Sequence, residues 1–94
     1  MLTYKSSYRS VDEIVLGEVL DFPGTIAYGH SLDEARHNLA MALRDMAETN
    51  LLKGEPLPIP DLSTTRLDAE LEEPIHLLLQ VGQQMNVTVG IAAQ

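Results

Sequence analysis

Ninety-four residues are enough for one small domain, whose modest core would gain further burial from oligomerisation. The absence of cysteine excludes disulfides, thiolate metal sites and thiol nucleophiles. With 14 acidic against 6 basic side chains and a net charge of −8, the chain lacks the basic surface of a nucleic-acid-binding protein. We find no leader sequence and no apolar run long enough to cross a bilayer, and we expect a soluble, cytoplasmic protein.

Two strands and a tight turn open the chain. Leu2 to Arg9 alternates between two faces, one of them polar, and this period of two predicts a strand. Ser10 to Glu13 contains turn-forming residues, and Ile14 to Leu20 is a second apolar run. Two strands joined by so short a link predict an antiparallel hairpin.

A Pro-Gly turn and a short strand come next. Pro23 presets its own φ and Gly24 tolerates a positive φ, which predicts a type II turn. A strand from Thr25 to Tyr28 should follow this turn. Ser31, with Glu34 three residues later, has the pattern of a helix capping box.

One long amphipathic helix is predicted from Ser31 to Lys53. Its apolar side chains recur at spacings of three and four, as they do on the buried stripe of a helix. Gly54 is a natural stop for the helix. The stripe comprises Leu32, Ala35, Leu39, Ala42, Leu43, Met46 and Ala47.

The rest of the chain, from Glu55 onward, alternates between loops and strands. Glu55 to Pro60 holds three prolines and must be extended. We expect a loop from Asp61 to Glu73, with room for a helical turn at Thr64 to Leu71. Strands are predicted from Ile75 to Val81 and from Met85 to Ile91. The order β-β-β-α-β-β describes an α+β fold, in which one helix packs on one face of an antiparallel sheet.

The side chains that could carry chemistry lack the partners that catalysis needs. Glu13, Glu18 and Asp21 have no second cluster of histidines and carboxylates at metal-ligand spacing, and turn aspartates are common for backbone reasons. The three histidines are scattered, and Ser31 lacks the glycine elbow of a nucleophile. We therefore predict no catalytic residue, no metal site, no cofactor and no enzyme activity.

A series of motifs runs from Gly17 to Pro60: an acidic strand, an Asp-x-Pro-Gly turn, a short strand ending in Gly, a Ser-Leu-x-Glu-Ala helix start and a helix closed by Gly-Glu-x-x-Pro. As a combination these motifs resemble the HicB-like antitoxin family, and the resemblance covers about residues 3 to 60. The matching positions are Glu18, Asp21, Pro23, Gly24, Gly29, Ser31, Leu32, Glu34, Ala35, Asn38, Ala42, Leu43, Gly54, Glu55, Pro56 and Pro58. Those to which we assign structural roles are Asp21, Pro23, Gly24, Gly29, Ser31, Glu34, Gly54 and Pro56.

The resemblance implies a degenerate, partial RNase H-like sheet crossed by one helix, without catalysis. It also implies a bacterial antitoxin that binds a small basic toxin of the HicA type and blocks its RNA-cleaving surface. The acidic balance of this chain suits such a partner, because charge complementarity speeds association. The alternative is a solitary HicB-like oligomeric interaction domain, without a toxin partner or DNA-binding activity.

The sequence indicates only loosely which surface would contact a toxin. We select the acidic side chains Asp12 and Glu13 in the first hairpin, and Glu34, Asp45 and Glu48 on the exposed side of the helix. The competing interpretation of each is an ordinary solvated surface.

The C-terminal strand region, residues 74–92, is the candidate oligomerisation element of a single domain spanning residues 1–94. Met85 to Ile91 alternates cleanly between apolar and polar residues, and an unpaired amphipathic strand favours pairing with a second copy. Folding back along the same sheet is the alternative. The family often continues into an operator-binding segment whose helices do not follow here, so direct DNA binding is doubtful.

Overall fold

A computed structural model describes residues 2–79 of the chain, in which four strands form one antiparallel sheet. The strands are β1 (Leu2–Val11), β2 (Ile14–Val19), β3 (Ile26–Gly29) and β4 (Leu71–Leu77), and their order across the sheet is β3-β2-β1-β4. A single helix, α1 (Leu32–Leu52), separates β3 from β4 in the chain. The predicted α+β fold is confirmed, while the predicted strand Met85 to Ile91 lies outside the described residues.

The first hairpin has a two-residue turn, because β1 continues two residues further than predicted. Val11 pairs with Ile14 across the turn, and Asp12 and Glu13 form its tip with φ angles of 49° and 67°. Positive φ at both central positions is the geometry of a type I′ turn, which follows the natural twist of the two strands. Neither tip residue is a glycine, so the turn holds two L side chains in the left-handed region.

The predicted type II turn is confirmed. Gly24 has a φ of 87°, and the Thr25 N–H donates a hydrogen bond of 3.2 Å to the Phe22 carbonyl. A type II turn requires a positive φ at its third residue, and glycine adopts that conformation without steric strain. The turn brings β3 back beside β2, with Glu18 opposite Ile26 and Val15 opposite Gly29.

Local signals in the sequence fix both ends of α1. The Ser31 side chain accepts a hydrogen bond from the Glu34 backbone N–H and caps the N-terminus. At the other end Gly54 has a φ of 75°, and two hydrogen bonds close the helix: Gly54 N–H to the Leu51 carbonyl and Glu55 N–H to the Asn50 carbonyl. This pair of bonds is a Schellman motif, so the predicted glycine stop is confirmed.

The core lies between α1 and one face of the sheet. The helix buries Ala35, Leu39, Leu43 and Ala47, all members of the predicted stripe, against the side chains of β1, β2 and β4. The sheet contributes Tyr4, Tyr8, Val19, Ile75 and Leu77, and Phe22 joins them from the turn between β2 and β3.

Gly29 marks the point where the strand and the helix come closest. A Cβ atom on Gly29 would collide with the backbone N of Ala35 and would lie 2.8 Å from the Glu34 carbonyl carbon. Only a residue without a side chain fits there, although its φ is not positive. The motif glycine at the end of β3 is therefore explained by packing rather than by a turn.

The prediction for the segment after the helix was partly wrong. We expected a loop up to Glu73 and a strand from Ile75 to Val81, whereas β4 already begins at Leu71 and ends at Leu77. A hydrogen-bonded turn between Arg66 and Ala69 lies within Thr64 to Leu71, the stretch for which we considered a helical turn. Two glutamates and a proline interrupt the apolar alternation of Leu71–Leu77, so the sequence pattern does not indicate a strand there. β4 tolerates these residues because it is the outermost strand of the sheet within residues 2–79, and edge strands accept charge and proline.

Candidate interaction surface

Two of the three carboxylates considered for catalysis, Asp21 and Glu18, hold the fold together. The Asp21 side chain is buried, and its two oxygens accept hydrogen bonds from the Lys5 N–H at 3.1 Å and the Asp61 N–H at 2.7 Å. It thereby ties β1 to the segment that follows the proline-rich stretch. Glu18 accepts a hydrogen bond of 2.9 Å from the Arg66 guanidinium. Within residues 2–79, no group of three or more histidines and carboxylates could hold a metal ion.

The other motif residues lie at turns and helix ends. Pro23 and Gly24 form the exposed Pro-Gly turn, Gly29 ends β3, and Gly54 closes the helix. Pro56 is exposed, and its carbonyl lies 3.5 Å from the Asn50 side-chain amide. Each of these positions shapes the backbone, and none of them is a reactive group.

The predicted capping box takes a modified form. The Glu34 carboxylate accepts hydrogen bonds from the His30 N–H at 2.6 Å and from the His30 ring at 3.0 Å, one residue before the expected Ser31 N–H. These bonds lower the pKa of Glu34 below its ordinary range. The carboxylate therefore stays charged at the N-terminus of the helix, where negative charge is favourable.

The five acidic residues selected from the sequence form two separate groups. Asp12 and Glu13 lie at the hairpin tip, at the same end of the sheet as Glu34, because Val15 beside the tip pairs with Gly29 just before the helix. Asp45 and Glu48 lie 11 and 14 residues after Glu34 in the chain, which places them about 16 and 21 Å further along the helix.

Ion pairs engage most of the basic side chains. Arg36 binds the Glu73 carboxylate through two hydrogen bonds of 2.8 Å, and Lys5 approaches Glu72 at 2.8 Å. The pKa of Glu72 is lowered chiefly by its bond with Lys5. Arg66 pairs with Glu18 and Asp68, and Arg9 lies 3.7 Å from Asp68.

These pairs hold the segment around Arg66 and Asp68 against β1 and β2. They also hold β4 against β1 and the helix. Four of the six basic residues are thus neutralised locally, and Asp12, Glu13, Asp45 and Glu48 have no ion pair within the described ranges. Apart from Arg44 and Lys53, the unpaired charges left for a partner within residues 2–79 are therefore acidic.

Sequence reasoning missed a groove of about 240 Å³ beside β4. Its lining is His37, Ala40, Met41 and Arg44 from α1, with His76 and Leu78 from the end of the chain that the structure describes. The spacing of His37, Met41 and Arg44 along one helix face was visible in the sequence. The approach of His76 to these residues was not visible, because it depends on β4 lying at the edge of the sheet that residues 2–79 form.

No helix within residues 2–79 is both long enough and apolar enough to span a membrane. A scan against protein-family models finds no match to this sequence, and a search of curated proteins finds none either. Solved structures do match. The crystal structure of the N-terminal domain of the antitoxin HicB from Burkholderia pseudomallei has a TM-score of 0.71 and 20% sequence identity, over 83% of this chain and 100% of that domain.

The chain has the fold of the HicB N-terminal domain. The crystal structure of the Burkholderia pseudomallei antitoxin HicB itself also matches, with a TM-score of 0.68 and 19% identity over 88% of this chain. The match spans 65% of that HicB chain. The HicB resemblance predicted from the motifs is therefore confirmed for the fold.

Proposed function

We propose that this chain is a non-catalytic antitoxin-like module, which binds and neutralises a small basic, RNA-cleaving toxin of the HicA type. The observation that carries this proposal is the fold: the match covers the whole N-terminal domain of a protein described as an antitoxin. A likeness of fold alone admits several functions, so the surface has to support the same conclusion.

The charge distribution supports a basic partner. Because Lys5, Arg9, Arg36 and Arg66 are held in internal ion pairs, they do little to repel an approaching cation. An acidic surface can occupy a site built for the phosphates of RNA, and long-range attraction would raise the association rate.

Two surface regions are candidates for the contact. The tip region, Asp12 and Glu13, is exposed and held in a two-residue turn, which fixes its direction. The helix region, Asp45 and Glu48, lies on the rigid outer side of α1. We propose that at least one of them contacts the toxin, and charge reversal can tell which.

The test is co-expression with the product of a neighbouring reading frame that encodes a basic protein of about sixty residues, the size at which a single domain folds alone. We expect a stable complex at low salt, which weakens as salt screens the charges. The variants are Asp12→Lys with Glu13→Lys, and Asp45→Lys with Glu48→Lys. The control is Glu55→Lys, an exposed acidic residue past the end of α1 that also has no ion pair within the part described.

A double reversal in the true contact should weaken binding by about tenfold or more, as opposing charges become like charges, while the control should change it little. No complex at low salt would refute the toxin-binding proposal. It would leave the alternative, a solitary interaction domain. Complex formation that none of the reversals weakens would show that the toxin contacts another surface.

We also propose that the protein forms a homo-oligomer through the strand Met85 to Ile91, which lies outside the described residues. The proposal rests on the alternation of that segment, because an amphipathic strand buries its apolar side by pairing. Light scattering after size exclusion should give a mass of at least two chains. Val87→Asp should reduce that mass to one chain, and an unchanged mass in this variant would contradict the proposed contact.

A further inference from the structure

The groove beside β4 lies between a helix and the edge of a sheet. His37, Met41 and Arg44 line it on the helix side, and His76 and Leu78 line it on the strand side. β4 is the last strand of the sheet in the part of the chain that is described. A groove between an edge strand and a helix is the place where many proteins bind an extended peptide as an additional strand.

The backbone of β4 is oriented for such an addition. Lys5, which is paired in register with Pro74, directs its N–H to Asp21 and its carbonyl to Leu20, away from β4. The pair therefore exchanges no hydrogen bonds, and Pro74 directs its backbone outward. Because backbone groups alternate along a strand, the N–H and carbonyl of His76 also lie on the outer edge. Pro74 itself has no N–H, so the His76 end of β4 is the part that can donate to a new strand.

The groove is a basic site in an acidic protein. Arg44 and Lys53 are the two basic residues that form no ion pair within residues 2–79, and Arg44 shares the groove with two imidazoles. The ring of His76 is held by Thr3, whose Oγ1 lies 2.9 Å from Nδ1. Charge complementarity therefore calls for an occupant that carries carboxylates at this point.

The groove also offers apolar contact and a limited length. Met41 is 43% exposed and Leu78 is 65% exposed, so both can still bury apolar surface. His37 and Arg44 are about 10 Å apart along the helix, which matches about three residues of an extended chain. A volume of about 240 Å³ is smaller than the pockets that hold drug-sized ligands or cofactors.

We propose that this groove binds a short extended segment of a partner protein, in which an apolar side chain is flanked by carboxylates, as a strand added to the outer edge of β4. The segment would exchange backbone hydrogen bonds with His76. Its apolar side chain would contact Met41 and Leu78, and its carboxylates would face Arg44 and the imidazoles. The groove adjoins the helix region proposed for the toxin, because Met41 and Arg44 lie four residues before Asp45 and Glu48 on α1. The peptide experiment tests the groove without any toxin, so its failure would leave the toxin-binding proposal untouched.

The test uses the full chain labelled with ¹⁵N and two blocked peptides, acetyl-Glu-Leu-Glu-Leu-amide and its lysine counterpart acetyl-Lys-Leu-Lys-Leu-amide. We expect the acidic peptide to shift the amide resonances of His37 to Arg44 and of Ile75 to Leu78, and the lysine peptide to leave them in place. Arg44→Glu should weaken binding of the acidic peptide about tenfold. Lys53→Glu, which reverses the other unpaired cation away from the groove, should leave the affinity unchanged.

Several outcomes would overturn the proposal. These are no shift in the groove amides with the acidic peptide, equal shifts with both peptides, or equal losses in the two variants. Concentration-dependent shifts at the same amides without peptide would assign the groove to a second copy of the chain. Nuclear Overhauser contacts between the groove and residues 80–94 in the free protein would assign it to the chain's own terminal segment. Either result would exclude a partner segment as the occupant.

Discussion

Replacing Gly29 with alanine should be among the most damaging single-atom additions to this domain. The new methyl group would meet the backbone N of Ala35, with the Glu34 carbonyl carbon 2.8 Å away and the Ala35 Cα 2.9 Å away. Ordinary contact needs about 3.5 Å, so the start of the helix would have to move by more than about half an ångström. These are backbone atoms, and the Ala35 N–H is bonded to the Ser31 carbonyl at 3.0 Å, so no side-chain rotation can relieve the clash.

Overpacking of this kind costs about 1–3 kcal/mol, and we expect Gly29→Ala to reach the upper end of that range. In a domain of this size, that corresponds to a fall in Tm of more than about 10 °C. Urea denaturation followed by circular dichroism would give the free energy of unfolding. The matched control is Gly54→Ala, which has open space within 4 Å but a φ of 75°, and it should cost only about 1 kcal/mol. A loss for Gly29→Ala no larger than that of the control would refute the close-packing explanation.

Three further predictions concern other parts of the fold. Asp21→Ala should lower the free energy of unfolding by about 2–4 kcal/mol in urea denaturation, because it leaves the N–H groups of Lys5 and Asp61 without an acceptor; a loss under about 1 kcal/mol would contradict this role. Burial raises the pKa of Tyr4 from 10.0 to about 12, so the native state keeps a proton that the unfolded chain loses, and stability should fall as the pH rises from about 10 to 12. Tyr4→Phe should make that fall shallower in urea midpoints measured at pH 9 and pH 11, and an equally steep fall would exclude Tyr4 as a cause. Glu13→Gly should stabilise the protein by about 1 kcal/mol in thermal melts, because it removes an L side chain at a φ of 67°, and a lower Tm would argue against strain at the tip.

Features with a local cause could be predicted from the sequence. The Pro23-Gly24 turn, the Ser31 cap and the Gly54 stop all depend on the conformation of one or two residues, and the structure has each of them. The buried stripe of α1 could be predicted as well, since helical spacing alone decides which side chains share a face.

Features that depend on distant residues could not be predicted. The start of β4 was missed because Glu72 and Glu73 look like loop residues until Lys5 and Arg36 are placed beside them. The buried role of Asp21 depends on the Asp61 N–H, which lies 40 residues away in the chain. The sequence already placed two of the candidate acidic residues in the hairpin and three on the helix, but only the strand pairing shows that Glu34 lies at the same end of the sheet as the hairpin tip.

Both outer strands of the sheet that residues 2–79 form limit its extension by further strands. On β3, the Asn38 side chain already donates a hydrogen bond of 2.7 Å to the Tyr28 carbonyl, and on β4 Pro74 interrupts the row of donors. If the edge of one copy paired with the edge of another, the Tyr28 carbonyl on β3 would already be engaged by Asn38, and Pro74 on β4 would offer no N–H. We therefore expect the edges formed by residues 2–79 to disfavour extended edge-to-edge stacking of copies, while the short segment proposed for the groove would still fit.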